Sequence, residues 1–526
     1  MENIKIKLNY NNAFKWINED NIYVIGYAYH KNKLLNEAEF LNLVKETKTE
    51  KDIIKLVKQL NGAFSIIKVL VDKIVLATNN VRSFPILYQK NGKEILISDN
   101  INNFSNLKIN ENNVQELLSL RVCSNNKTIY ENIYQVPPST VTVITENNIE
   151  NTQYFYYKIN ELNKKIEKEI FEEMYNLYDE AVKRLIKYAN GKKIVIPLSG
   201  GYDSRLIAYH LRKNNYNNVV CYTYGRKNNP EYNTAKKVAE FLNFELHFIE
   251  YKTKDMRKKY YNKKEYSKMA DYFGRGISTP VIQEWIAIDK LISSKIIDKN
   301  CIVAPGFLGD FLAGGEVKEE FLLDKNSSTT NQIKDYILKK SYAYSKFNKN
   351  QEKLFEQEIS KTLEIDLNNK KISKNKAVEL LENFDLKERE AKYISNAVRV
   401  YDYYFLKWYL VYIDINLMNY FENIDSITKC NRKLYKKYIQ TYYNDLLNYA
   451  PIAVKKERSG KIYKNFFSKN FNRLKIVLFS YKDNIINFYG YFKISDYLKH
   501  CLQKNTNIVS MFAQDYIKYE KTKTDK

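Results

Sequence analysis

The chain has 526 residues, 44% of them hydrophobic and 28% charged, enough apolar material for two or three packed cores and too much for a disordered polymer. Its formal charge of +24 invites a nucleic-acid reading, but the lysines run the whole length alongside Asn, Ile and Tyr. That spread favours compositional drift over a dedicated nucleic-acid surface. Cys123, Cys221, Cys301, Cys430 and Cys501 are scattered with no C-x-x-C pair, and the four histidines are equally dispersed. No apolar run approaches the roughly 20 residues of a membrane span, and the N-terminus lacks a signal-peptide pattern. The expectation is a cytoplasmic protein with reduced thiols and no metal cluster.

Residues 1 to about 155 are β-rich. "NIYVIGYAYH", "GAFSIIKVLV", "KIVLAT", "EILISD" and "STVTVITENN" are short β-branched or aromatic runs bounded by turn residues. Between them "TEKDIIKLVKQLNG" predicts a helix stopping at Asn61-Gly62. Ile166, Ile170, Met174, Leu177, Ala181 and Leu185 then recur at helical spacing, with Gly191 as the expected C-cap. A strand "KIVIPL", a helix over 203–214, a strand "VVCYTYG", a helix over 231–243 and a strand "ELHFIEY" follow. Such alternation builds a parallel sheet with helices on both faces. Beyond about 320 the pattern is largely helical, with 325–390 expected as an exposed helical insertion and the terminal "YEKTKTDK" expected to fray.

The chemistry concentrates in "IVIPLSGGYDS". An apolar run suits a buried parallel strand, and two glycines after it permit close backbone approach to a ligand. Loop amides and the positive end of the next helix make an anion site, to which Ser199 and Ser204 add hydroxyls. Asp203 would repel a bare phosphate, and it fits if it holds Mg²⁺ against phosphate oxygens. The plain alternative is a strand-to-helix turn with Asp203 and Ser204 as caps. The full S-G-G-x-D-S string is more specific than that, and it is not the Walker G-x-x-x-x-G-K-[ST] loop.

This string resembles the signature of the ATP pyrophosphatase (PP-loop) superfamily, and further residues resemble its asparagine synthetase branch. Residues 221–251 match that branch's second strand, its E-x-x-x-A-x-x-V-A-x-x-L helix and the strand after it. The resemblance implies adenine bound beside Cys221, Tyr222, Thr223 and Tyr224. "VAPGFLGDFLAGG" (303–315) aligns with G-E-G-x-D-E-x-x-G-G. It puts Asp310 on the second magnesium-binding aspartate, matches Gly306, Gly314 and Gly315, and places Phe307 where asparagine synthetases carry a glutamate needed for amide formation. Residues 396–424 resemble R-x-P-[FL]-x-D near the active site, with Leu410 and Asp414 in register, and "NRKLYKKYI" (431–439) resembles the K-x-x-L-R segment. Arg432 or Lys433 would contact phosphates there, with Lys433 preferred.

Residues 60–100 resemble the glutaminase domain of the same enzymes through Leu60, Gly62, Phe64, Asn79-Asn80-Val81-Arg82, Pro85-Ile86-Leu87-Tyr88 and Ser98. That domain uses an N-terminal cysteine as nucleophile; here position 2 is Glu2 and the first cysteine is Cys123. The expectation is a degenerate domain kept as scaffold. The resemblance thus implies an α+β, Ntn-hydrolase-like sheet sandwich (1–155), then an α/β parallel-sheet PP-loop synthetase domain (156–445), then a helical extension (446–526). The implied activity is an ATP- and Mg²⁺-dependent ligase that adenylates a carboxylate, releases pyrophosphate and joins it to ammonia or an amine. Ser199, Gly200, Gly201, Asp203, Ser204, Tyr222, Thr223, Tyr224 and Gly306 would hold the nucleotide; Asp203 and Asp310 would hold the metal. The partners implied are a small-molecule or sugar carboxylate, as in surface-polysaccharide or specialised-metabolite biosynthesis, and a nitrogen donor that a separate glutaminase could supply. The competing readings are a tRNA-modifying ATP pyrophosphatase and a non-catalytic nucleotide-binding pseudo-synthetase.

Overall fold

The computed structural model describes residues 3–160, 166–227, 229–317, 328–452, 490–502 and 508–524. The N-terminal part holds two sheets. In the smaller, Asn3–Lys7 runs parallel to Glu94–Ser98, which pairs antiparallel with Leu87–Asn91, and Tyr134–Gln135 closes the edge. The larger is antiparallel, in the order Ile149–Gln153, Thr140–Thr145, Lys73–Thr78, Leu60–Val69, Ile22–His30 and Ile17–Glu19. Ile67, Ile74 and Leu76 of the larger sheet meet Ile86, Tyr88, Ile95 and Ile97 of the smaller across the gap between them. Helices Glu37–Glu46 and Glu50–Gln59, each opened by a capping box, bury Phe40, Val44, Ile53 and Val57 on the larger sheet's other face. The smaller sheet's other face, through Leu87, takes helix Glu111–Leu120 and helix Ile508–Thr524. The result is a helix–sheet–sheet–helix sandwich.

Three local expectations are corrected. The helix Glu50–Gln59 stops before Asn61-Gly62 and passes straight into strand Leu60–Val69. Gly62 is instead a close-approach residue, since a Cβ there would meet the Tyr27 carbonyl oxygen at 2.3 Å. The segment expected as an exposed helical insertion is largely helical from residue 328 onward but packs into a core; residues 325–327 lie outside the described residues. Helices Thr330–Lys340, Lys349–Leu363 and Lys374–Phe384 bury Ile333, Ile337, Phe355, Ile359 and Leu380 with Leu120 and Val122 of the N-terminal part. Apart from Glu382, which is buried against Lys429, their charged residues keep some exposure, so average composition hid an apolar inner face. The tail expected to fray continues as helix to Thr524, because Tyr130 donates to Glu520 and Lys523 pairs with Asp271 and Glu520.

Helix Glu167–Ala189 bridges to the second half and buries Ile170, Met174, Ala181 and Leu185, while Ile166 is left exposed at its start. Its C-cap is Asn190 in the left-handed region, one residue before the expected Gly191. A five-stranded parallel sheet follows, in the order Glu245–Glu250, Val219–Gly225, Ile194–Pro197, Ile302–Val303 and Lys407–Trp408. Ile194, Val195 and Ile196 are fully buried, as a strand covered on both faces requires. The later neighbours of Ile194–Pro197 lie on opposite sides of it. It is the point where strand order reverses, and parallel α/β sheets bind their ligands beyond the carboxyl end of such a strand. One continuous core joins the halves: Tyr27 stacks on Tyr409 with ring centroids 4.7 Å apart, and Phe84 stacks on Trp408 at 5.3 Å.

Candidate active site

The Ser-Gly-Gly loop leaves the sheet at this reversal point. Its base is tied to the neighbouring strand by the Leu198 amide, which donates to the Tyr222 carbonyl at 2.8 Å. The loop then folds on its own hydroxyls. Ser204 Oγ accepts from the Ser199 amide at 3.1 Å and lies 3.3 Å from Ser199 Oγ, which accepts from the Gly201 amide at 3.2 Å. Helix Asp203–Lys213 starts here with no side-chain N-cap bond, so its positive end faces the loop. The helix is pinned from behind by His210, whose ring nitrogens reach Asp179 at 3.0 Å and the Tyr443 hydroxyl at 2.8 Å.

Asp203 sits in the first turn of that helix. Tyr435 donates to its Oδ1 at 2.9 Å and Tyr412 to its carbonyl at 2.7 Å. Burial, and then the charge of Asp310, raise its pKa to about 7 against the pull of Tyr435 and Arg432. The second glycine-rich turn packs its backbone against this residue. A Cβ on Gly306 would lie 2.8 Å from the Ser204 nitrogen, and one on Gly309 would lie 2.5 Å from Asp203 Cγ. Asp310 opens the short helix Gly309–Leu312 with its side chain 51% exposed, and Arg432 forms its ion pair. A Cβ on Gly315 would meet Asp310 Oδ2 at 2.8 Å. Two carboxylates with a guanidinium beside one of them form an oxygen-donor pair that suits a hard divalent cation. Among the described residues, no group of three or more His, Cys, Asp or Glu side chains is placed to hold a metal.

Strand Val219–Gly225 continues past its last pairing with Ile194–Pro197, at Tyr222, by Thr223, Tyr224 and Gly225. Its backbone therefore flanks the loop. Tyr222 donates to Glu284, as does Tyr401 at 2.9 Å, and Tyr224 stacks on Tyr251 at 5.1 Å.

Not every expected residue lies in this group. The side chain at Asp310 belongs to Arg432, in the left-handed region at φ 61°, whereas Lys433 is the exposed first residue of helix Lys433–Tyr442. Asp414 points away from the loop. It accepts from Arg184 Nε at 2.6 Å and Asn61 Nδ2 at 2.9 Å, and it caps helix Ile415–Glu422. The Leu410 amide likewise donates to the Tyr27 hydroxyl at 2.9 Å. This segment joins the halves, and within it Tyr412 donates to the Asp203 carbonyl. Phe307 is half-buried against the core. Sequence reading missed Tyr412 and Tyr435, which are hidden among 46 tyrosines, and Gly309, which occupies a variable position of the motif. The described cysteines Cys123, Cys221, Cys301 and Cys430 are all buried and free, and burial pushes the Cys123 thiol well up. No helix among the described residues is long and apolar enough to cross a membrane.

A search of curated proteins found no match. The family model described as asparagine synthase matches residues 173–448, more than half of the chain, and spans both the Ser199 loop and the Asp310 turn. The chain belongs to the asparagine synthase family.

Proposed function

We propose that the protein is an ATP-dependent ligase that activates a substrate carboxylate as its acyl-adenylate and passes the acyl group to a nitrogen nucleophile. The observation that carries this reading is the approach of Asp203 and Asp310 at the mouth of the Ser-Gly-Gly loop, with glycines 306, 309 and 315 fitted around the two carboxylates. A substrate carboxylate oxygen attacks the α-phosphorus and the α–β bridging bond breaks. The amine then attacks the acyl carbon, AMP leaves, and one proton is released.

In this scheme Ser199, Ser204 and the loop amides donate to the pyrophosphate as it takes up charge, and the end of helix Asp203–Lys213 adds a fixed positive field. Gly200 and Gly201 let that backbone come close. The carboxylates of Asp203 and Asp310 would hold Mg²⁺, which supplies charge neutralisation on the phosphates. Arg432, already at Asp310, takes the phosphate-facing role first given to Lys433. Thr223 and Tyr224, with Tyr222 and Gly306, border the place for the base and ribose.

We assign the N-terminal sandwich, residues 1–155, to a scaffold of degenerate glutaminase type, with 156–445 as the synthetase unit and 446–526 as its extension. Nitrogen then comes from ammonia, from a separate glutaminase or from the substrate's own amine. Phe307 replaces the family glutamate with an apolar ring, so the acceptor acid is assigned as one other than aspartate, a sugar acid among the candidates. Exchange of labelled pyrophosphate into ATP, screened over carboxylic and sugar acids, tests the reading. One acid should support exchange that the Asp203→Ala variant loses. Tight Mg-ATP binding with no exchange for any acid would overturn it in favour of the pseudo-synthetase.

A further inference from the structure

Strands Val219–Gly225 and Glu245–Glu250 end together at the carboxyl edge of the parallel sheet, where the Tyr251 amide donates to the Gly225 carbonyl at 2.8 Å. Helix Thr253–Tyr260 starts just beyond them. Arg226 braces this corner, donating to the Tyr251 carbonyl at 2.8 Å and to Thr253 Oγ1 at 2.6 Å. Residues 490–493 come up against the same helix. Arg257 donates from Nε to the Gly490 carbonyl at 3.1 Å and from Nη2 to the Phe492 carbonyl at 2.8 Å. Gly490 is at φ 74°, and a Cβ there would lie 2.9 Å from Thr253 Oγ1 and 3.0 Å from Arg226 Nη2. Backbone fitted this closely makes a fixed wall.

A cleft of about 640 Å³ is bordered by that helix and that wall, and four cations line it: Lys254, Arg257, Lys258 and Lys493. Thr253, Tyr261 and Asn262 lie among them, and no aliphatic side chain lines the cleft among the described residues. Exposed lysines elsewhere in the chain find carboxylates. Lys45 meets Glu19 at 3.1 Å and Asp20 at 2.6 Å, and Lys183 meets Asp179 and Glu180, each at 3.1 Å. Among the described residues no carboxylate pairs with Lys254, Lys258 or Lys493. The acids of this corner serve other groups. Asp255 pairs with Lys290 at 3.0 Å, Glu265 lies 3.9 Å from Lys259, and Asp496 accepts from the Lys493 amide at 2.9 Å and from the Tyr261 hydroxyl. The Lys493 ammonium lies over the Tyr261 ring, 4.7 Å from its centroid. Like charges gathered around one cleft repel one another, and a polyanion relieves that repulsion.

The size and lining select the polyanion. Small-molecule sites run to about 300–1,000 Å³, and this cleft holds a nucleotide-sized ligand rather than a strand tracked over several nucleotides. A lipid tail finds no aliphatic wall here, whereas Tyr261, 38% exposed, offers an aromatic surface. Strand Glu245–Glu250 stands two places from Ile194–Pro197 in the sheet, so about 10 Å separates this corner from the Ser199 loop. A sugar and its diphosphate together span that distance.

We infer that the cleft holds the diphosphate of a nucleoside diphosphate ester, and that the acid activated at the Ser199 loop is a sugar acid carried on it. This substrate class rests on the ligase reading above; the binding site itself does not.

The test is calorimetric titration of the full chain with uridine diphosphate, while Mg²⁺ and the α,β-methylene analogue of ATP fill the Ser199 loop. The wild type should bind, and more weakly as salt rises. The combined Lys254→Ala, Lys258→Ala and Lys493→Ala variant should bind about ten- to a hundredfold more weakly, the summed loss of three charge contacts to phosphate. Arginine at the same three positions should restore binding. No binding with the loop filled, or equal binding by the alanine variant, would overturn the proposal. So would tighter, lysine-dependent binding of a single-stranded RNA, which would make the cleft part of a nucleic-acid surface. Loss of the ATP analogue in step with uridine diphosphate would overturn it too, by placing the three lysines at the loop. Exchange supported by an acid without phosphate, and unchanged in the alanine variant, would remove the substrate class and leave the ligase reading standing. Absence of exchange with every acid strikes the ligase reading instead, and the titration, which needs no turnover, still decides the cleft.

Discussion

The two halves of the molecule use polar side chains in opposite ways. At the carboxyl edge of the parallel sheet, Ser199, Ser204, Asp203 and Asp310 converge with little to bond except one another and a few flanking groups. In the sandwich, polar groups turn inward and are spent on structure. Asp99 accepts from the amides of Asn9 and Tyr10 and from Trp16 Nε1, each at 2.8 Å, and Asn79 Oδ1 accepts from the Ser83 amide at 2.7 Å. A reactive edge keeps oxygens available to a ligand, whereas a scaffold consumes them. That difference agrees with the proposal that chemistry belongs to one half and support to the other.

The sharpest way to break this contrast is to remove the carboxylate at its centre. Asp203→Ala should lower pyrophosphate exchange by about a thousandfold, the scale of losing a preorganised electrostatic group, while the unfolding midpoint stays near wild type. Gly309→Ala should act through the same residue, since its Cβ would fall 2.5 Å from Asp203 Cγ. A displacement near 1 Å costs about a hundredfold in rate, and exchange kinetics on the folded variant would measure it.

The supporting side should fail differently. Arg184→Met strands the buried Asp414 carboxylate, which is 3% exposed and shared with Asn61. The expected loss is about 3–5 kcal/mol of stability in denaturant titration, with exchange per folded molecule retained. If exchange collapses in step with Asp203→Ala instead, the joint is part of the catalytic apparatus and the contrast dissolves.

The smallest effect concerns pH. Burial acts to raise the pKa of Asp179, but bonds from His210, Asn214, Lys213 and Lys183 outweigh it and hold this carboxyl well below the usual range. The folded chain therefore binds this proton less readily than the unfolded one. The stabilisation is complete above about pH 4, the ordinary aspartate value, and is lost as pH falls below it. Asp179→Asn should flatten that acid limb by about 1–3 kcal/mol, read from denaturant midpoints across the acid range.

Much of the reactive half was legible in sequence because its constraints are local. A strand, two glycines and an acid within ten residues must sit together, and period alone placed the βαβα series. Helix faces within 328–394 were not legible, because their apolar stripe was diluted by lysine and asparagine on the outer turns. Nor was the role of Asp414, whose partners Arg184 and Asn61 lie 230 and 353 residues away. Tyr435 was beyond reach for the same reason, and sequence alone could not choose Arg432 over Lys433: only the tertiary fold brings Arg432 and Tyr435 to the two aspartates.

The helix Ile508–Thr524 also bears on how the chain is made. It covers the smaller sheet of the sandwich near Leu87, and its Glu520 meets Tyr130 across 390 residues of sequence. Such a contact cannot form while the intervening chain is still being synthesised, so the first half to emerge from the ribosome waits with helix Glu111–Leu120 but without this second helix on that face. That layer is complete only after translation has carried helix Ile508–Thr524 clear. A version shortened before residue 508 would open the part of this cluster that Ala513, Tyr516 and Ile517 cover, and it should aggregate more readily than the full chain.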